Sequence, residues 1–155
     1  MTKFIRLRQW GDGEFVEICV DIYSIVFVTR EHDRSRPYSA HVILDDGEDV
    51  QTEQSYEEII EKVSAIDPNL LIFGACSISD DEYYDSNEHT CKSDYVTCAL
   101  SKELIQCVKP DKDANGEDVC AIYFKNSVDS DCSWVKMNEE YEYLAQFLTW
   151  GGTNE

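Results

Sequence analysis

No stretch of this chain reaches eighteen consecutive apolar residues, so the sequence offers no membrane-spanning helix. Its amino terminus, Met1-Thr2-Lys3-Phe4-Ile5-Arg6-Leu7-Arg8, interrupts its apolar residues with charges and has no signal-peptide hydrophobic core. That pattern predicts a cytoplasmic protein. Catalytic signatures are equally scarce. The sequence has no G-x-S-x-G elbow, no phosphate-cradling G-x-x-x-x-G-K-S/T, and no dinucleotide glycine pattern. None of the three histidines sits in sequence beside a nucleophile and a carboxylate in a recognised arrangement. No two cysteines have the C-x₂₋₄-C spacing of structural zinc sites, so His89-Thr90-Cys91, with Cys76 or Cys98 nearby, is not read as a metal centre. The expectation is a protein without enzymatic activity, cofactor or metal.

Basic residues are scarce too, and unevenly so. The chain carries 13 Lys and Arg against 32 Asp and Glu, for a net charge of -19. Residues 1–44 are neutral, with six acids and six bases. Residues 45–94 hold fifteen acids against Lys62 and Lys92, and residues 95–155 hold eleven acids against five lysines. Such a surface repels nucleic acid and anionic membrane and attracts basic partners.

What is present suffices for a core. Hydrophobic residues make up 43% of the 155 positions and aromatics 12%, so the acidity does not signal disorder. The length suits one domain, or two small ones sharing a core. Seven cysteines (19, 76, 91, 98, 107, 120, 132), an odd number without an export signal, point to reduced thiols. Cys98 alternates with Val96 and Leu100, and Cys120 with Ile122 and Phe124, places suited to a small buried hydrophobe.

The apolar spacing recurs. A first strand, Phe15-Val16-Glu17-Ile18-Cys19-Val20, is followed by the apolar segment 22–28. After it come the strand His41-Val42-Ile43-Leu44, the turn Asp45-Asp46-Gly47, and a return strand near Val50. A shift of 80 brings Tyr95–Leu100 onto that first strand, Ile25 onto Ile105, Val28 onto Val108 and Leu44 onto Phe124. After a five-residue insertion near 128–132 the shift becomes 85, aligning Val50 with Val135 and Tyr56 with Tyr141. Ser55 and Glu58 have capping-box spacing, and Tyr56, Ile59, Ile60 and Val63 form one helical stripe. Asn138 is the expected cap of a second helix with the stripe Tyr141, Leu144, Ala145, Leu148, ended by Gly151-Gly152. Leu70-Leu71-Ile72-Phe73 matches the opening strand Phe4-Ile5-Arg6-Leu7.

The fold expectation is therefore α+β: two tandem copies of an antiparallel β-meander, each closed by one helix and packed as a pair about a pseudo-twofold axis. The copies are residues 1–67 and 68–155, the second carrying an acidic insertion loop at 79–94. The spacing of Phe4-Ile5-Arg6-Leu7, Ile22-Tyr23-Ser24-Ile25, Val42-Ile43-Leu44-Asp45-Asp46-Gly47 and Ser55-Tyr56-Glu57-Glu58-Ile59 resembles the short flagellar regulator family FlbD/SwrD over residues 4–63. The resemblance is one of apolar pattern. It carries no functional residue, and the recurrence, the acidic loop and the cysteines depart from it.

Asp111-Lys112-Asp113-Ala114-Asn115-Gly116 opens like a calcium loop, but Ile122 stands where the bidentate Glu belongs, and Asn-Gly favours a hairpin turn. The candidate partner-binding residues are the acids Asp45, Asp46, Glu48 and Asp49 of the turn. With them stand Asp80, Asp81, Glu82, Asp85 and Glu88, interleaved with Tyr83 and Tyr84. The thirteen excess charges of residues 45–94 match roughly 22 Å of duplex DNA, about six or seven base pairs. The expected function is a non-enzymatic acidic protein that engages a basic, nucleic-acid-handling partner, as a nucleic-acid mimic or an inhibitor of phage or mobile-element type. No direct nucleic-acid or membrane contact is expected, and the chain is a monomer or homodimer. The alternative is a small-molecule or nucleotide-binding module, with Arg30, Arg34 and Arg36 clamping an anion between the copies or at a dimer interface.

Overall fold

Alternating apolar residues at Ile5 and Leu7, and at Ile18 and Val20, fold back on one another as β1 (Phe4–Gly11) and β2 (Glu14–Asp21). Asp12 and Gly13 between them both take positive φ, 50° and 84°, the backbone that a two-residue hairpin turn requires. The remaining elements of the computed structural model are β3 (Ile25–Arg30), β4 (Ala40–Leu44), β5 (Asp49–Thr52), α1 (Tyr56–Ile66), β6 (Leu71–Ser77), β7 (Val96–Ser101), β8 (Ile105–Lys112), β9 (Asp118–Phe124), β10 (Trp134–Met137) and α2 (Tyr141–Trp150). The structure describes residues 3–77, 95–113, 115–125 and 134–150. The expected acidic loop at 79–94, the insertion near 128–132 and the Gly151-Gly152 stop lie outside the described residues.

All ten strands join one antiparallel sheet in the order β2-β1-β5-β4-β3-β7-β6-β10-β9-β8. The fold is α+β, mainly β, with two helices. Neither set of five is a simple meander, because β1 lies between β2 and β5 and β6 lies between β7 and β10. The two sets belong to one continuous sheet. They lie side by side, joined where β3 pairs with β7 through Phe27↔Leu100, Val28↔Ala99 and Thr29↔Cys98. The physical reason is the edge: each of these strands would otherwise present a row of unpaired amides and carbonyls.

The sheet is not flat. β2 and β3 are the outer strands of the first set, yet only a three-residue 3₁₀ turn, Ile22–Ser24, joins them. Four strand spacings would part them by roughly 19 Å in a flat sheet. A 3₁₀ turn, rising about 2 Å per residue, cannot bridge that, so the set curls. Lys102–Leu104 joins β7 to β8 in the same way. Since β3 and β7 are antiparallel, the second set runs with its strand directions reversed and curls toward the opposite face.

Two cores follow from this curl. The first holds Ile5, Leu7, Val20, Val28, Val42 and Val50 under Tyr56, Ile59 and Val63 of α1. The second holds Phe27, Ile72, Leu100, Ile122 and Val135 under Leu144 of α2. The junction strands feed both: Ala99 points into the first, Cys98 and Leu100 into the second. Cys76, Cys98 and Cys120 are buried free thiols, as the alternation at Cys98 and Cys120 implies, while Cys19 and Cys107 are exposed and free. Burial pushes the Cys120 thiol up to about 11. Among the described residues no helix is long and apolar enough to cross a membrane.

Helix α1 begins as its sequence dictates. The Ser55 hydroxyl accepts from the Glu58 N–H at 3.1 Å, and Glu58 accepts from the Ser55 N–H at 3.0 Å. Helix α2 corrects the expectation at its start. It begins at Tyr141, so Glu140 and not Asn138 precedes its first turn; the Asn138 N–H, bonded to the Ala75 carbonyl at 2.8 Å, still continues the pairing of β10 with β6. Of the expected stripe Leu144 is buried, whereas Tyr141 is exposed. Two substitutions test this packing. Ser55→Ala should lower stability by about 1 kcal/mol, since only the cap is lost. Leu100→Ala should cost about 3 kcal/mol in chemical denaturation, because its fully buried side chain supports the strand junction.

Candidate functional site

The strand-joining turn between β4 and β5 presents Asp45, Asp46, Gly47 and Glu48. The Leu44 N–H bonds the Glu48 carbonyl at 2.9 Å, and Gly47, at φ 92°, closes the turn onto the Leu44 carbonyl. The Glu48 N–H donates to Asp46 Oδ1 at 2.9 Å, and the Asp45 N–H donates to the Ser24 carbonyl at 2.8 Å. A backbone N–H therefore holds the Asp46 carboxylate, and backbone bonds fix the path of the turn. Gln9 Nε2 adds a long bond, 3.3 Å, to Glu48. Among the described residues no cationic side chain pairs with Asp45, Asp46 or Glu48; Asp46 and Glu48 are exposed and Asp45 is half-buried.

Asp49, the fourth acid, has a partner. Its carboxylate accepts from His41 Nδ1, at 3.0 and 3.1 Å to the two oxygens, while Glu31 Oε1 accepts from His41 Nε2 at 2.5 Å. The three side chains come from β4, β5 and the residue following β3, and the Tyr38 ring meets the imidazole edge-on at 5.4 Å. Burial alone would push the imidazole down. The Asp49 bond and charge, and then those of Glu31, outweigh it and raise His41 to about 9. Glu31 is also burdened by burial, but the Asp33 N–H and His41 hold its carboxyl below the usual range.

This trio has no general-base chemistry to offer. With both ring nitrogens donating, His41 keeps no lone pair for a proton or a metal. It acts as a fixed cation that ties three strand ends together beside the acidic turn. The sequence put Asp49 among the acids but did not link it to His41, because the link runs through strand register. The available signal was carboxylates ten residues before and eight after a strand histidine.

The three candidate arginines do not share a site. Arg30 lies against α1, its guanidinium paired with Glu57 and 4.7 Å from the Tyr56 ring centre. Arg36 pairs with Asp33 at 3.5 Å within the loop, and Arg34 is exposed there. Asp113 sits in the β8–β9 turn, where its carboxylate accepts from the Asn115 and Glu117 N–H groups at 2.9 Å each. The calcium-like residues thus form a turn held by its own amides. Asp80, Asp81, Glu82, Tyr83, Tyr84, Asp85 and Glu88 lie outside the described residues, as do His89 and Cys91. Among the described residues no three His, Cys, Asp or Glu side chains gather as a metal site.

Comparison with family models, with curated proteins and with solved structures found no match for this chain.

The His41 trio makes a pH prediction. Its folded value, about 9, exceeds the ordinary 6.5, so its contribution is complete below pH 6.5 and disappears as pH rises through 9. Unfolding free energy should fall by on the order of 2 kcal/mol across that window, after allowance for the half-exposed Asp49. In His41→Gln the decline between pH 6.5 and about 8, below the range in which the thiols of the unfolded chain ionise, should be absent, as measured by urea denaturation at stepped pH.

Proposed function

We propose that this is a non-enzymatic acidic binding protein that engages a basic partner through the rigid Asp45–Glu48 turn and the acidic segment that follows in sequence. The observation that carries this reading is the turn itself: its backbone is held by hydrogen bonds, and among the described residues no cation pairs with its three carboxylates, on a chain of net charge -19. A turn with a fixed backbone loses little entropy on contact, and a lysine- and arginine-lined groove gains attraction from its charges. A partner that handles nucleic acid fits this excess of negative charge, with the protein acting as a mimic or inhibitor. No functional residue comes from the FlbD/SwrD likeness, and neither Arg30 nor Arg36 is left unpaired to favour an anion-binding site.

The same reading includes a tandem architecture of two five-stranded copies, residues 1–67 and 68–155. Three correspondences support it. The strand order 2-1-5-4-3 becomes 7-6-10-9-8 when five is added to each number. Register shifts fall between Ile25 and Phe27 and again between Ile105 and Cys107, eighty positions on. Val50 opposes Val42 as Val135 opposes Ile122.

Binding should weaken steeply with salt, because the charges concerned are exposed. The variant Asp45→Asn/Asp46→Asn/Glu48→Gln should bind a lysine- and arginine-rich protein roughly tenfold more weakly, at up to 1 kcal/mol for each exposed charge. Titration calorimetry at two salt concentrations checks this, with duplex DNA as competitor. Unchanged affinity in the variant would remove the turn from the interface.

A further inference from the structure

The ends of the ten-stranded sheet are β2 and β8, and among the described residues neither has a strand on its outer side. The chain already contains a pairing of strands that occupy these two positions. β3 closes the order of the first set and β7 opens that of the second, and their pairing joins the halves. β8 closes the second order as β3 closes the first, and β2 opens the first as β7 opens the second.

The equivalence extends to local geometry. β3 and β8 each emerge from a 3₁₀ turn and shift register after their first residue. β2 and β7 each run into such a turn. The Ile22 N–H bonds the Lys3 carbonyl at 2.9 Å, and the Lys102 N–H bonds the Leu70 carbonyl at 2.9 Å. Behind each turn the Asp45 N–H meets the Ser24 carbonyl at 2.8 Å, and the Lys125 N–H meets the Leu104 carbonyl at 2.7 Å.

We propose that the β8 edge of one chain pairs with the β2 edge of a second copy, in the geometry of the internal β3–β7 junction. The internal register, Phe27↔Leu100, Val28↔Ala99 and Thr29↔Cys98, transfers to Cys107, Val108 and Lys109 against Val20, Cys19 and Ile18 of the next copy. Pro110, which has no N–H to donate, lies one residue past this trio, so the ladder ends where the internal one does. Exposed Val16 and Cys19 on β2, and half-buried Val108 on β8, supply apolar surface beside it. The contact is heterologous: each added chain leaves one β2 edge and one β8 edge free, so assembly runs head to tail.

A ladder of three residues is short, and each chain carries -19, so mutual repulsion opposes the contact. Added salt screens that repulsion and strengthens self-pairing. This is the reverse of the salt response of binding to a basic partner, so the two ideas stand or fall separately.

Val108 and Cys19 stand opposite each other in this register and share a face of the sheet, so they supply the test. In Val108→Cys chains that also carry Cys91→Ser, Cys107→Ser and Cys132→Ser, a short bismaleimide should link the thiol introduced at position 108 of one copy to Cys19 of the next by addition of each thiol across a maleimide double bond. The chain with both thiols should give a series of dimers, trimers and longer species that grows with salt. The same chain with Cys19→Ser added, and the chain without Val108→Cys, should each stay monomeric, while their equal mixture should stop at the dimer. Dimers from either of these two chains alone would overturn the head-to-tail contact in favour of like edges pairing. Absence of any multimer from the chain with both thiols at high salt, with light scattering of the unmodified protein reporting monomer, would overturn self-pairing altogether.

Discussion

The pairing of β3 with β7 is the constraint on which the rest of the structure depends. It turns two curled five-stranded sets into one sheet and settles which face each helix covers. Antiparallel strands with a side-chain period of two send successive residues to opposite faces. Thus Ala99 reaches the α1 core while Cys98 and Leu100 reach the α2 core. A slip of one residue at this junction would exchange the two sets of side chains and empty both cores together.

The acidic turn draws its rigidity from the same framework. Its strands, β4 and β5, lie inside the first set, with the turn anchored to Ser24 at the start of β3. On the strands beside it, His41 brings Glu31 and Asp49 together with both ring nitrogens, so one internal cation offsets two acids where they are partly buried. Among the described residues no cation pairs with Asp45, Asp46 or Glu48, and the last two are exposed to solvent. This division between acids that secure strand ends and acids left for a partner is the physical basis of the proposed binding role.

Local features were legible in the sequence, and features set by distant pairing were not. Alternation located β2, β4 and β7. The Ser55 and Glu58 spacing located the start of α1, because each of these signals acts within a few residues. The strand order was out of reach: Gln9 opposes Thr52, and Phe27 opposes Leu100, through contacts for which local pattern carries no mark. Asn138 misled for a related reason. Its side chain suits a cap, but the residue continues the pairing of β10 with β6 through its N–H to the Ala75 carbonyl, and the helix starts only at Tyr141, too far downstream for it to cap. Within the candidate site the acids of the turn were legible as a run. The His41 trio was not, since Glu31, His41 and Asp49 meet only after three strands are in register.

Native-state hydrogen exchange followed by NMR tests the central claim, that the β3–β7 pairing makes the two sets one cooperative unit. Amides in the interior of β4, such as Val42, and of β9, such as Ile122, should exchange with a common free energy of opening, with Val28 and Ala99 at the junction as slow as either. Separate opening energies for the two sets, with fast exchange at Val28 and Ala99, would contradict it.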